Sequence, residues 1–376
     1  MHSSRPAHHR IYFELEERIT SGAWPVGTRL PPEPEIAAQL GVSRGTLRRA
    51  LARLREQGLI DGLPGRGSFV RSASASPPER PRVVGVLVPS VARPFVGGLL
   101  AAVEDELHRL GYSMLVANSG ATPEQEAGRT RRMLQAGIAG LVTYPIDRDG
   151  TKLYGSLHDD GIPLVFIDRY PVGLEADAVL SDNLGGAYQA VSHLAELGHR
   201  RIAFVATNNV TTTSVAERLE GYRVALSEHD IPYLGDLVTT ELAMTAFSAP
   251  PSGRAMEEAR HLIARFLEQR RPTAVFALHD RVAFEVHMVA GSLGLRVPQD
   301  LSLVGFDDAT AVHAALPALT SVEQPRDRIG RLAAGLLVDR IEGRRQEVAR
   351  HVLPTHLIVR GSTAPAAERP WATPVA

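Results

Sequence analysis

The sequence predicts an α/β protein in two parts: a small α+β head with a helix–turn–helix, and a larger body of parallel sheet covered by helices. Three observations predict this. Two helical patterns separated by a tight turn lie within residues 1–71. A proline- and serine-rich stretch at 72–82 interrupts every periodic pattern, as an exposed linker does. Over residues 83–362, apolar strand-like runs alternate with helical segments.

Composition excludes several classes of protein. The chain has 376 residues, of which 44% are hydrophobic and 22% charged, a balance typical of globular domains. It contains no run near the roughly 20 apolar residues of a membrane-spanning helix. The first 25 residues carry charges throughout and lack the apolar core of a secretion signal, so we expect a cytoplasmic protein.

Residue usage also argues against several kinds of enzyme. There is no cysteine, which removes disulfides, thiolate metal sites and cysteine nucleophiles. Lys152 is the single lysine, and its context DRDGTKLYG is neither a P-loop nor a pyridoxal-phosphate site. No HExxH or GxSxG motif is present. We therefore expect a protein that is not an enzyme and has no cofactor or metal.

The first two predicted helices precede the tight turn of the head. The first carries Ile11, Leu15 and Ile19 on one face, with Trp24 close behind, and stops at the breaker SGAWPVG. The second runs over 33–40 and is ended by Gly41, a residue that readily adopts the left-handed conformation.

The third predicted helix is capped by Ser43 and is followed by a β-hairpin. Its apolar residues repeat at helical spacing: Leu47, Ala50, Leu51 and Leu54. The segment LIDGLPGRGSFVR then reads as two short strands joined by a glycine-rich turn.

Two arginines of the third helix suit DNA recognition. Arg44 and Arg48 lie one turn apart beside the apolar stripe, so both guanidiniums face outward together. A planar guanidinium can bind guanine edges or phosphates, and a helix enters the major groove. Arg66, between two glycines at the hairpin tip, could reach an adjacent groove. The alternative is an ordinary solvated helix face, and the residues alone leave it open.

The head resembles the winged helix-turn-helix of the GntR family of bacterial transcription regulators. The similarity covers residues 8–71 and includes LGVSRGTLRRAL, REQGLI and GRGSFV. It implies that the third helix reads the operator and that the wing touches the minor groove. The implied DNA-binding residues are Ser43, Arg44, Thr46, Arg48, Arg49, Gly65, Arg66 and Gly67. Pro34 stands where the family often has Arg or Lys, so we expect one contact fewer and a different operator preference.

Eight predicted strands alternate with helices in the body. They lie at 83–89, 112–118, 140–145, 163–168, 201–206, 237–242, 273–280 and 301–308. Near-continuous apolar strands separated by helices indicate parallel sheet covered on both faces. The pattern alone does not decide between one large sheet and two.

Polar and aromatic side chains collect where these strands end. They are Arg93, Phe95, Tyr144, Asp168, Arg169, Arg218 and Asp280. Carboxylates, guanidiniums and an aromatic face are the groups that bind a polyhydroxylated ligand, and ligands of open α/β sheets lie at the carboxyl ends of strands. Each residue also has an ordinary alternative. Asp280 could cap a helix, Asp168 could begin a turn, and Arg218 could be solvated and paired with a glutamate.

The body resembles the effector domain of the LacI/GalR family, which is related to periplasmic sugar-binding proteins. The similarity covers residues 82–362 and includes IPLVFIDR, SVAERLEGYRVAL and VPQDLSLVGFDD. It implies two lobes with a parallel sheet each, lobe 1 from 83–181 and 298–321, lobe 2 from 183–295 and 324–362. The crossovers would lie near 181–183, 294–298 and 320–324. The implied effector contacts are the seven residues above and Asp307, with His279 in place of the family's usual asparagine.

A GntR-type head on a LacI-type body is the architecture of the arabinose repressor subgroup. The resemblance implies a homodimeric repressor whose operator affinity is set by a small sugar. The alternatives are a nucleoside or purine effector, or a cytoplasmic solute-binding protein. The linker lacks a hinge-helix pattern, so we expect closure of the lobes to move the two heads out of operator register. The tail at 363–376 is predicted to be disordered.

Overall fold

The computed structural model describes residues 7–63, 67–71, 82–146, 151–247, 253–309 and 319–367. The chain divides into two compact units, Met1–Pro81 and Arg82–Ala376. We call them the head and the body.

The head contains three helices and a two-stranded antiparallel sheet. These are α1 (Ala7–Thr20), α2 (Glu33–Gln39), α3 (Arg44–Glu56), β1 (Ile60–Leu63) and β2 (Gly67–Val70). The predicted apolar faces meet in one core, where Ile11, Leu15, Leu47 and Leu54 are at most 1% exposed. Gly41 has a φ of +62°, which permits the tight turn between α2 and α3.

The first lobe of the body is a six-stranded parallel sheet in the order β13-β7-β6-β5-β3-β4. Its strands are β3 (Val83–Val88), β4 (Ser113–Asn118), β5 (Gly140–Thr143), β6 (Leu164–Ile167), β7 (Asp177–Ser181) and β13 (Arg350–Leu353). Its helices are α4 (Pro94–Arg109), α5 (Pro123–Gln135), α6 (Thr151–Asp159) and α11 (Arg326–Ile341). Alternate residues of a strand pack on opposite faces: Val165 and Phe166 belong to different apolar clusters.

The second lobe is also a six-stranded sheet, in the order β14-β12-β11-β10-β8-β9. Its strands are β8 (Ile202–Thr207), β9 (Val238–Leu242), β10 (Ala274–Ala277), β11 (Ser302–Asp307), β12 (Thr320–Glu323) and β14 (His356–Ile358). The strands are parallel except for β14, which is antiparallel to β12. Its helices are α7 (Asn183–Glu196), α8 (Thr213–Glu228), α9 (Gly253–Arg270) and α10 (Asp280–Ser292). The prediction of an α/β body with two parallel sheets is confirmed.

The chain crosses between the lobes at 181–183, 323–326 and 353–356. The prediction that 298–321 belongs to the first lobe is wrong, because β11 pairs in parallel with β10 and β12 pairs with β11. The crossover predicted at 294–298 is therefore only the connection from α10 to β11 within the second lobe. Conversely, α11 and β13 belong to the first lobe: α11 packs on α4, and β13 pairs with β7.

The beginning of the tail is ordered against the second lobe, contrary to the predicted disorder from residue 363. The amide of Ala364 donates a hydrogen bond of 3.1 Å to Ser302 Oγ, and that of Ala366 donates one of 2.8 Å to the carbonyl of Leu197. Residues 368–376 lie outside the described part of the chain.

Candidate functional site

The exposed face of α3 carries the arginines that the sequence singled out. Ser43 caps the helix by accepting a hydrogen bond of 3.2 Å from the amide of Thr46. Arg44, Arg48 and Arg49 are exposed, while Leu47 is fully buried between them. The burial of the apolar stripe thus fixes which way the guanidiniums face.

One of these guanidiniums is paired within the head. Arg48 Nε donates a hydrogen bond of 2.9 Å to Glu33 Oε2 at the start of α2, and the two side chains are 71% and 33% exposed. An exposed pair of this kind contributes little stability, so Arg48 is available to another partner at small cost. Of the predicted wing residues, Gly67 has a φ of +99°, and Gly65 and Arg66 lie outside the described residues.

A cleft between the two lobes of the body collects most of the predicted effector residues. It encloses about 840 Å3 of empty space, including solvent at its mouth. Seven of the eight predicted residues line it: Arg93, Phe95, Tyr144, Arg169, Arg218, Asp280 and Asp307. The eighth, Asp168, lies directly behind Arg169 and accepts a hydrogen bond of 3.0 Å from its Nε.

The first lobe contributes a buried cluster of Tyr144, Asp168 and Arg169. Arg169 donates to the Tyr144 hydroxyl at 3.0 Å, and its guanidinium lies 4.7 Å from the centre of the Tyr144 ring. Burial raises the pKa of Tyr144 to about 12, so its hydroxyl keeps its proton and can donate to a ligand. Asp168 has a φ of +65° directly after β6, consistent with the predicted turn, and it also accepts a hydrogen bond of 3.2 Å from Ser214 across the lobes.

Arg218 of α8 is buried in the second lobe. The guanidinium donates to Asn183 Oδ1 at 2.9 Å and to the carbonyl of Leu278 at 2.7 Å, and it lies 3.7 Å from the centre of the Phe306 ring. The alternative of a solvated arginine paired with a glutamate is wrong, since Arg218 is only 5% exposed. Its nearest carboxylate is Asp307, at 4.0 Å.

Two aspartates of the second lobe line the cleft, Asp280 at the start of α10 and Asp307 at the end of β11. Asp280 accepts hydrogen bonds from the amide of Ala309 at 2.7 Å and from the hydroxyl of Ser321. Burial, reinforced by the charge of Asp307, raises the pKa of Asp280. Asp280 is not the helix cap: the N-cap of α10 is His279, whose Nδ1 accepts from the amide of Val282 at 3.3 Å.

Several residues that line the cleft were not predicted. They include Thr207, Asn209, Ser214, Met244, Phe247 and Arg281. Thr207 ends β8, Asn209 lies two residues beyond it, and Phe247 follows β9, so the rule that ligands lie at carboxyl ends of strands would have found them. Phe247 packs edge-on against His279, with the ring centres 5.7 Å apart.

Two negative findings concern the described residues. No cluster of three or more His, Asp or Glu side chains in that part of the chain could hold a metal ion. Among the described helices, none has the length and apolar character that a bilayer crossing requires.

A helix–turn–helix with outward guanidiniums, joined in one chain to a two-lobed body with a polar cleft, defines a DNA-binding transcription regulator. Comparison with known proteins supports this class. Residues 7–70 match the family model of bacterial regulatory proteins of the gntR family, and residues 191–363 match that of the periplasmic binding protein-like domain.

Curated and solved relatives align with most of the chain. The HTH-type transcriptional regulator CelR of Thermobifida fusca is 33% identical over 361 residues, covering 89% of this chain and 98% of the relative. The arabinose metabolism transcriptional repressor of Geobacillus stearothermophilus is 29% identical over 364 residues, covering 95% and 98%. The solved CelR–cellobiose complex superimposes with a TM-score of 0.66 at 31% identity, covering 89% of this chain and 100% of that one. The chain therefore belongs to the LacI/GalR-type transcriptional regulators and carries a GntR-type DNA-binding head.

Proposed function

We propose that the protein is a cytoplasmic, homodimeric repressor whose operator affinity is controlled by a carbohydrate bound in the cleft, and that it is not an enzyme. The observation that carries this proposal is the set of side chains that line the cleft. Carboxylates, guanidiniums and a tyrosine hydroxyl surround an empty space next to Phe95 and Phe247. Such a set offers donors and acceptors to vicinal hydroxyls and an apolar wall to a sugar ring. The cellobiose bound to CelR supports the same class of ligand.

In this proposal the first lobe binds with Arg93, Phe95, Tyr144 and the Asp168–Arg169 pair, and the second with Arg218, Asp280 and Asp307. Hydrogen bonds already join the two sides, from Ser214 to Asp168 and from the amide of Tyr170 to Thr213 Oγ1 at 3.3 Å. An effector that contacts both lobes stabilises the closed arrangement by its differential affinity for it.

We propose that closure changes the geometry of the body dimer and lowers operator affinity. In the head, the recognition residues would be Ser43, Arg44, Thr46, Arg48 and Arg49, with the wing at 65–67. Thermodynamic linkage requires that operator DNA weaken effector binding by the same factor.

The test is a thermal-shift screen of the full chain against pentoses, hexoses, disaccharides and purines. It is followed by a gel-shift titration of operator DNA with and without the compound that binds. We expect a carbohydrate to raise the melting temperature of the body and to release the DNA. A purine that does both would contradict the carbohydrate assignment, and equal effector affinity with and without DNA would contradict the coupling.

A further inference from the structure

Two guanidinium groups that line the cleft have no hydrogen-bond or ion-pair partner among the described residues. Arg169 is paired with Asp168, and Arg218 is held by Asn183, by the carbonyl of Leu278 and by the charge of Asp307. Arg93 and Arg281 also line the cleft. Within the described residues, neither of these two side chains makes a hydrogen bond or an ion pair.

The two arginines approach the cleft from opposite lobes. Arg93 is the N-cap of α4 in the first lobe, and Arg281 lies in the first turn of α10 in the second. Both side chains are partly exposed. Each therefore lies at the amino end of a helix of 13 or more residues, where the helix dipole adds further positive potential.

The ring of His279 lies within range of the same positive charges. Its pKa is held well below the ordinary value, first by burial and then by the positive charges of Arg93, Arg218 and Arg281. The two unpaired guanidiniums thus act on the same point of the cleft wall. The ring stays neutral and adds no further positive charge.

The nearby carboxylates already accept hydrogen bonds from protein groups. Asp280 accepts from Ala309 and Ser321, and Asp307 accepts a hydrogen bond of 2.6 Å from Gln324 Nε2. Of the body segments outside the described residues, 248–252 and 310–318 contain no Asp or Glu, whereas 147–150 contains Asp147 and Asp149. A neutral sugar can donate to the aspartates but offers neither Arg93 nor Arg281 a charged hydrogen-bond acceptor.

We propose that the effector is an anionic carbohydrate, a sugar acid or a sugar phosphate, whose charged group is bound by Arg93 of one lobe and Arg281 of the other. This inference rests on the proposed function and narrows its ligand class. Guanidinium groups bind carboxylate and phosphate through paired, charge-assisted hydrogen bonds. An anion bound by both side chains would join the two lobes and so favour the closed arrangement.

The experiment measures binding of matched carbohydrate series to the full-length protein by isothermal titration calorimetry. The neutral probes are arabinose, ribose, glucose, galactose and cellobiose. Each is compared with its aldonate or uronate and with its monophosphate. We expect one anionic compound to bind at least about tenfold more tightly than its neutral counterpart, with an affinity that falls as salt is raised. The series to which it belongs distinguishes carboxylate from phosphate.

Two variants test whether Arg93 and Arg281 bind the charged group of the effector. Arg93→Gln and Arg281→Gln should each reduce the anionic-to-neutral affinity ratio by about tenfold, the loss of one charge-assisted contact. Arg265→Gln, at an exposed position on α9, removes the same charge and should leave the ratio unchanged. Circular dichroism checks that each variant is folded.

The possible results distinguish a failure of the anion inference from a failure of the proposed function. Neutral sugars that bind as tightly as their anionic counterparts overturn the anion inference and leave the proposed function intact. An unchanged ratio in both cleft variants also overturns it, since the anion is then bound elsewhere. If no carbohydrate of either kind binds, the proposed function itself fails.

Discussion

Gln324 donates a hydrogen bond of 2.6 Å from its Nε2 to Oδ1 of Asp307, and its Oε1 accepts one of 2.6 Å from Ser181. Ser181 ends β7 at the first crossover, and Gln324 lies in the second. One carboxylate of the cleft is thereby tied to two of the three connections between the lobes. A ligand that engages Asp307 acts directly on the segments about which the lobes must move.

The first prediction concerns this bridge. Gln324→Leu removes both hydrogen bonds and leaves the buried Ser181 hydroxyl and the Asp307 carboxylate without these partners, which should lower the unfolding free energy of the body by about 1–3 kcal/mol. Calorimetric melting of the full chain measures it. Gln135→Leu makes the same chemical change at an exposed site and should have almost no effect. Equal melting temperatures for the two variants would show that the bridge contributes no stability.

The second prediction separates effector binding from DNA binding. Arg218→Met removes the guanidinium from the cleft and keeps an apolar stem against Phe306, so the thermal shift produced by the effector should be lost while operator affinity without effector is retained. Arg223→Met changes an exposed arginine of the same helix and serves as the control. A wild-type thermal shift in the Arg218 variant would place the effector elsewhere.

The third prediction is a pH dependence of stability. The pKa of His279 is lowered in the folded protein by burial and by neighbouring arginines, so below the ordinary value of 6.5 the unfolded chain binds a proton that the folded chain does not. Stability is therefore lost as pH falls below 6.5, by up to about 1.4 kcal/mol per pH unit for this group.

His279→Asn should reduce that loss, because asparagine cannot take up the proton yet still caps α10. Urea unfolding at neutral and at mildly acidic pH gives, for each protein, the slope of the unfolding free energy against pH. Burial also lowers the pKa of His193, His199 and His287, but these groups are common to both proteins and cancel in the comparison. The exposed His108→Asn is the control. Identical slopes in wild type and His279→Asn would contradict the prediction.

Most of the eight strands that the sequence predicted contain a near-continuous apolar run, such as 83–88 and 274–277, although β9 contains Thr239, Thr240 and Glu241. The strands it missed contain polar residues whose partners are distant in the chain. Thr320 of β12 is fully buried, and its polar groups are satisfied there. Its amide donates a hydrogen bond to Ser362 Oγ, and its hydroxyl oxygen accepts one from the amide of Arg360. A local sequence pattern does not reveal hydrogen bonds between residues so far apart in the chain. The assignment of segments to lobes failed for the same reason, since the pairing of β11 with β10 decides it.

The sequence pointed to some of the residues that line the cleft and missed others. Residues within a few positions of the end of an apolar strand, such as Asp168 and Asp280, could be found from position alone. Arg281 was missed because an arginine one residue into a helix usually lies in solvent, and its place in the cleft depends on how the two lobes face each other. The partners of Arg218, among them Asn183 and Leu278, likewise follow from packing between elements rather than from spacing.

The last prediction concerns the reading of the operator by α3. Arg48→Ala should cost about 1–3 kcal/mol in specific operator binding if the guanidinium contacts a base, while affinity for unrelated DNA changes less. The pair with Glu33 does not oppose this, because both side chains are partly exposed and such pairs are weak. Gel-shift titrations with operator and with random duplex measure both affinities. Arg109→Ala, an exposed change of equal charge in the body, is the control. A uniform loss on both duplexes, with a shallower salt dependence, would instead assign Arg48 to the phosphate backbone.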